Sequence, residues 1–288
     1  MNWQNPFIVD LIKRALEEDI WTGDITTEAV IPAGRQAVGQ VLTKVDGVIA
    51  GLPLLKQVFL QLDPTLEVDL LVDDGFVATA GTVLANISGS ARSILQGERV
   101  ALNFLQRLSG IATRTSRLAE SIKFYQGRIV DTRKTTPGLR LLEKYAVRMG
   151  GGYNHRFGLY DAVLIKDNHI AVAGSIKEAV AAVRRRVGHT TKIEVEVESL
   201  EQLSEALESR ADIIMLDNMS LDMMKEAVKL AQGKAILEAS GGITEENILE
   251  VAKTGIDYIS IGAITHSIKA LDISLDIELE QPPADQQN

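Results

Sequence analysis

From about residue 128 onward the chain repeats one pattern: a short apolar, β-branched run, a turn carrying charge or glycine, and an amphipathic helix. The runs cover residues 128–132, 161–165, 192–197, 212–216, 234–239 and 257–261. Apolar residues at three- and four-residue spacing predict helices between them, at 138–149, 175–187, 200–208, 221–231 and 245–253. This alternation demands a parallel sheet covered by helices, because parallel neighbours are joined by crossovers. About six such units predict a barrel or near-barrel, whose chemistry belongs at the carboxyl ends of its strands.

The first 127 residues follow another rule. Short strands are expected at 36–44, 47–51, 66–72 and 82–88, separated by Asp-Gly and Gly turns, with helices at 52–62 and 91–109. That is an α+β domain. Late in the chain Leu271, Ile273, Leu275, Ile277 and Leu279 alternate with Asp272, Ser274, Asp276, Glu278 and Glu280. The alternation marks a half-exposed antiparallel strand, unlike the buried runs before it, and is expected to return to the N-terminal domain. The expected division is 1–112, 113–270 and 271–288, with a frayed polar tail at 281–288.

A net charge of −9 argues against nucleic-acid and membrane-surface partners, which need a basic field. With no cysteine the chain has neither disulfides nor a thiolate metal site. The opening Met1 to Asp10 lacks the character of a signal peptide, and no run reaches membrane-spanning length, so a cytoplasmic protein is expected. Against the acidic background, residues 128–169 hold eight Lys or Arg and only four acids. Arg140, Lys144 and Arg148, at helical spacing, read as a solvated helix face.

The other charged residues of that segment converge on strand ends. Thr132, Arg133 and Lys134 follow the first run, Lys166 ends the second, and Glu196 and Asp217 mark the third and fourth. Arg133, Lys134, His155, Arg156 and Lys166 suit a small ligand with more than one negative group, since Arg grips planar carboxylates and Lys serves phosphates as a point charge. The triple glycine 150–152 lets the chain fold back so that His155 and Arg156 reach the pocket. Ser240, Gly241 and Gly242, taken to end a strand and open a helix, pair with Ile261, Gly262 and Ala263 as a two-loop phosphate site. The plainer reading of either loop is a tight βα turn. Glu196 and Asp217 point to substrate hydroxyls or a hydrated Mg²⁺. Glu194 and Glu198, on the same strand face, are equally open to pairing with nearby lysines. The four histidines lack zinc-ligand spacing.

Read together, several motifs resemble the quinolinate phosphoribosyltransferase family. They are Glu18-Asp19 with Gly23-Asp24-Ile25-Thr26, Glu98 to Asn103, Asp131 to Pro137, Asn154-His155-Arg156 and Ile165 to His169, then Glu194 to Glu198, Met215 to Asn218 and Glu238 to Ile243. The resemblance implies an N-terminal α/β sandwich joined to an open, incomplete α/β barrel. It implies that Arg133, His155, Arg156 and Lys166 bind the quinolinate carboxylates. Lys134, Glu196, Asp217, Ser240 to Gly242 and Ile261 to Ala263 would hold phosphoribosyl pyrophosphate with Mg²⁺, and Lys134, Glu196 and Asp217 would be the catalytic group. Arg99 would be contributed to the site of a neighbouring subunit in a homodimer or larger assembly. Val100, where the family often has a smaller polar residue, is the one departure noted. Three rival readings remain: a paralogue with another acceptor, a barrel aldolase using Lys166 as a Schiff base, and a lipoyl- or biotin-type carrier suggested by the hairpin rhythm of residues 74–84.

Overall fold

Strands in the computed structural model, which describes residues 1–279, are numbered along the chain. They are β1 (Gln36–Thr43), β2 (Gly47–Val48), β3 (Glu67–Leu70), β4 (Val77–Ala78), β5 (Val83–Ser90), β6 (Arg128–Val130), β7 (Val163–Ile165), β8 (Ile193–Val197), β9 (Ile213–Asp217), β10 (Ile236–Ser240), β11 (Tyr258–Ser260) and β12 (Ile273–Leu279). The chain forms two units, one of residues 1–113 with the segment from residue 268, the other of residues 114–267.

In the first unit an antiparallel sheet runs in the order β12-β1-β5-β3, and β2 pairs with β4. The alternating segment forms β12, which lies along β1 from Thr43↔Ile273 to Ala37↔Leu279. Ile273 and Leu275 are buried while Asp272 and Asp276 face solvent, as a period of two requires. Glu280 and the tail 281–288 lie outside the described residues. Two helices went unread in the sequence, although their signals were present. Asn5 caps the helix Pro6–Ile20, accepting from the Phe7 N–H, and Ile8, Ile12 and Leu16 form its buried stripe. Asp24 likewise caps Ile25–Val30 by accepting from Thr27.

The helix Leu52–Leu62 lies where its spacing placed it, but the next one runs from Ala91 to Ser121 instead of stopping at Ser109. Gly110 is a site of close approach, not a stop: a Cβ there would collide with the Lys269 carbonyl. The boundary between the two units falls inside this helix.

The second unit is an open, incomplete α/β barrel with the strand order β6-β11-β10-β9-β8-β7, all parallel. Its ends, β6 and β7, do not pair with each other among the described residues. On the free edge of β6 the Tyr153 N–H donates to Ile129 at 2.8 Å, and the Asp131 N–H donates to Tyr153 at 3.2 Å. One local rule starts three of the crossover helices: Ser175, Ser199 and Ser220 each accept a backbone N–H three residues on. Asp212 and Asp257, just ahead of β9 and β11, accept the N–H of Ile193 at 2.8 Å and of Leu237 at 2.9 Å, fixing strand register.

One local expectation is corrected. Ser240-Gly241-Gly242 ends β10 but does not open directly into a helix, which begins only at Ile248. Asn247 holds the intervening turn, donating to the Gly242 carbonyl at 2.9 Å and accepting from the Thr244 N–H at 2.8 Å. These side-chain bonds compete with helical pairing. The short helix Asp167–Ala173, directly after β7, was also unread.

Candidate active site

Alternation along the strands stacks polar side chains in the barrel of the second unit. Leu164 and Lys166, Glu196, Met215 and Asp217, Glu238 and Ser240 all line a cavity of about 390 Å³, with Ser260 from β11. Thr132, Arg133 and Lys134 after β6, and His155 with Arg156, complete its wall. The strand-end residues anticipated from the sequence are thus brought together at the carboxyl ends of the barrel strands.

Beneath them lies a sealed network that the sequence reading missed. Lys144 was read as part of a solvated face, yet it is fully buried in an ion pair with Asp131, which is also fully buried. Lys144 Nζ further donates to the His155 carbonyl at 2.9 Å, while Asp131 Oδ1 accepts the His155 N–H at 2.9 Å. Burial pushes the Asp131 carboxyl up and the Lys144 ammonium down, and their mutual attraction opposes both shifts. Arg140 is half-buried: it donates to Thr135 Oγ1 and to the Phe157 carbonyl, both at 2.9 Å. Arg148 is exposed as expected, with its guanidinium 5.3 Å from the Tyr153 ring centre.

This network fixes the backbone of His155, whose ring meets two more carboxylates. Nε2 lies 3.0 Å from Glu194 and 3.8 Å from Glu238, and Nδ1 accepts the Arg156 N–H at 2.7 Å. Both ring nitrogens are therefore engaged within the protein. Glu194 pairs with this histidine and not with a lysine, because it faces the barrel interior; Glu198 is exposed at the strand end. Burial alone would lower the His155 pKa, but the Glu194 hydrogen bond and the two acidic charges outweigh it and raise it. Burial and the Glu194 charge push Glu238 up to about 7, with His155 opposing. Among the described residues, Glu238 Oε1 is a buried acceptor without a hydrogen-bond partner.

Nearer the mouth, Lys166 Nζ forms an ion pair with Glu196. The Lys166 N–H is capped by His169 Nδ1 at 3.0 Å, which orients the start of the Asp167–Ala173 helix. Arg156 Nη1 donates to the Ala162 carbonyl at 2.9 Å, but its buried Nε has no hydrogen-bond partner among the described residues. Burial, and after it the charge of Arg133, lowers the Arg156 pKa. The Asn218 side chain donates to Asp217 at 2.9 Å. Gly241, at φ +88°, lets this turn pass Asn218, whose side-chain oxygen a Cβ would strike.

Not every anticipated residue reaches the cavity wall. Ser240 does, while Gly241, Gly242 and the segment Ile261 to Ala263 are absent from it. That segment instead backs Lys134: a Cβ on Gly262 would come within 2.9 Å of Lys134 Cδ, and Thr265 Oγ1 donates to the Lys134 carbonyl at 2.7 Å. Arg99 lies in the first unit with an exposed side chain, 3.7 Å from Glu98. Glu238 carried a readable signal, as a lone acid two residues before Ser240 in an otherwise apolar run.

Known proteins resemble this chain over nearly its whole length. Residues 24–109 match the family model for the quinolinate phosphoribosyl transferase N-terminal domain, and residues 111–276 match that for its C-terminal domain. A probable nicotinate-nucleotide pyrophosphorylase [carboxylating] of Bacillus subtilis is 48% identical over 93% of this chain and 93% of its own. A mitochondrial quinolinate phosphoribosyltransferase [decarboxylating] of Nicotiana tabacum is 42% identical over 94% of this chain and 82% of its own. The solved nicotinate-nucleotide pyrophosphorylase of Francisella tularensis superposes with a TM-score of 0.92 at 43% identity, covering 95% of this chain and 97% of that one. The chain belongs to the quinolinate phosphoribosyltransferase family.

Proposed function

We infer that this protein transfers the phosphoribosyl group of phosphoribosyl pyrophosphate to the ring nitrogen of quinolinate. Carbon dioxide and pyrophosphate leave, giving nicotinate mononucleotide for NAD synthesis. The observation that carries the reading is the cation-lined cavity, in which a buried Arg156 Nε awaits an acceptor beside Arg133. An uncompensated buried donor is costly, and a dicarboxylate supplies what it lacks. Arg133, Arg156 and Lys166 hold the two carboxylates. His155, with both ring nitrogens engaged, orients Arg156 through the adjoining backbone.

Lys134 meets the phosphates, with the segment Ile261 to Ala263 behind it and Ser240 to Gly242 on the neighbouring strand end. As pyrophosphate departs, the ribose carbon gains positive charge, and Glu196 and Asp217 stabilise that charge or hold the ribose hydroxyls. The clamped pyridine nitrogen attacks from the opposite face. Glu196 and Asp217, oxygen donors from neighbouring strands, fit a Mg²⁺ that keeps water and substrate phosphates as its other ligands. When bound, Mg²⁺ neutralises the pyrophosphate charge. Lys166, held in an ion pair, is the opposite of the unpaired, desolvated amine that a Schiff-base aldolase needs.

Among the described residues no helix is long and apolar enough to cross a membrane. Arg99 completes the site of a second copy in a homodimer, because its exposed guanidinium pairs, among the described residues, with the adjacent Glu98 alone. Incubation with quinolinate, phosphoribosyl pyrophosphate and Mg²⁺ should yield carbon dioxide and nicotinate mononucleotide. Nicotinate should be a poor substitute, since one carboxylate leaves buried cations unpaired, and equal rates with nicotinate would sink the reading. Mixed dimers of inactive Arg99→Ala and Lys166→Ala chains should regain part of the activity; verified mixed dimers that stay inactive exclude sharing through Arg99.

A further inference from the structure

We propose that Glu238 is the acid that protonates the ring carbon from which carbon dioxide departs. The inference rests on the function assigned above and concerns a step whose proton has to come from somewhere. When the bond from the ring carbon to the carboxylate breaks, its electron pair stays on the carbon beside the quaternary nitrogen, and carbon dioxide leaves. That pair must take up one proton. The Glu238 O–H bond supplies it and leaves a carboxylate, which regains a proton from solvent after product release. No oxidant or further reactant enters the balance.

The other charged groups around the cavity have other roles, and Lys134 meets the phosphates in the function inferred above. Arg133 and Arg156 are poor acids. The Lys166 ammonium, paired with Glu196 in the free site, holds a carboxylate of the bound ring in the function inferred above, and Asp217 accepts from Asn218. His155 presents no free ring N–H to the cavity, since Nδ1 accepts the Arg156 N–H and Nε2 faces Glu194. Glu238 differs from all of these. It lines the cavity, its side chain is only 6% exposed, and Oε1 has no hydrogen-bond partner among the described residues. Oε1 is thus open to a ligand in the cavity, while Ser260 hydrogen-bonds the carboxyl group.

Its surroundings also favour the acid over the carboxylate. Glu194 on β8 faces it and takes the nearer place at the one imidazole N–H, 3.0 Å against 3.8 Å. Asp131, after β6, adds negative charge, while His155 and Ser260 on β11 act in the opposite direction. The balance leaves Glu238 titrating at about 7, where an acid is best placed to deliver a proton at neutral pH.

Single-turnover measurements on the whole enzyme test the idea. Glu238→Gln should release pyrophosphate at close to the wild-type rate, while carbon dioxide release and nicotinate mononucleotide formation fall by about a hundredfold. Wild-type kcat should fall as pH rises through a single basic limb, which Glu238→Gln loses and Glu238→Asp restores together with part of the rate. Unchanged carbon dioxide release in Glu238→Gln, or an equal loss of both half-reactions, overturns the proposal. Should that variant not fold, a wild-type kcat that is flat from about pH 6 to 9 overturns it alone. A wild-type enzyme that makes no carbon dioxide from quinolinate fails the functional reading instead.

Discussion

Two lysine–carboxylate pairs in the barrel unit are made of the same chemistry and differ in where they sit. Lys144 and Asp131 are both 0% exposed, whereas the Lys166 side chain is 43% and that of Glu196 12% exposed. Sealed from water, the first pair finds further partners inside the protein: Lys144 donates to the His155 carbonyl, and Asp131 accepts from the His155 N–H and the Asn154 amide. Among the described residues the second pair closes only on itself, and it faces the cavity. A buried pair that is fully satisfied holds one geometry, while a pair at a cavity mouth can exchange its partner for a ligand. The first is scaffold, and the second is the pair that the proposed function assigns to substrate.

The most forceful way to break this comparison is to remove one member of the sealed pair. Lys144→Met should cost about 3–5 kcal/mol of stability by stranding a buried carboxylate. A urea melt measures it, and a loss under about 1 kcal/mol would mean the network relaxes or admits water. Adding Asp131→Asn to that variant should recover part of the loss, since the stranded charge is then gone.

A smaller effect sharpens the boundary between scaffold and the groups assigned to substrate, where Glu238 lies. Its pKa is raised from 4.5 to about 7, so in this interval the folded state binds more protons than the unfolded one. Stability from this group is thus full below about pH 4.5 and is lost as pH rises to about 7. Thermal melts of Glu238→Gln should show a flatter decline over that window than wild type. Parallel curves would mean that the carboxyl is ionised throughout.

Why one pair was legible in sequence and the other was not follows from the same contrast. Lys166, Glu196 and Asp217 stand at the ends of apolar runs, where a period of two and the barrel rule place them without any knowledge of contacts. Lys144 stands inside a helix at the spacing of a solvated stripe, and only the chain returning through Asn154 and His155 buries it. Local pattern reports which face a residue occupies, not what covers that face. Gly110 shows the same limit: punctuation in the sequence proved to be room for the Lys269 carbonyl. The serine caps and the alternation in β12 were readable because both ends of each interaction lie close along the chain or repeat with a fixed period.

The smallest expected change in stability belongs to Lys166→Ala, and it is the most informative about the open pair. With a side chain 43% exposed, Lys166 gives up an ion pair largely screened by water, so the melt should move by less than about 1 kcal/mol. Activity should respond differently, because the ammonium faces a dianionic substrate in a cavity that also holds Arg133 and Arg156. Turnover with quinolinate should fall by about a hundredfold, equivalent to one charge-assisted hydrogen bond of roughly 2–3 kcal/mol. Part of that loss should appear in KM, since the proposed role has Lys166 grip the bound carboxylate before any chemistry begins. Removing Lys166 also frees Glu196, which would then repel the incoming carboxylates, so Lys166→Ala with Glu196→Gln should bind quinolinate better than Lys166→Ala alone. A variant that loses stability as Lys144→Met does, with quinolinate KM unchanged, would place Lys166 with the scaffold and remove the distinction between the two pairs.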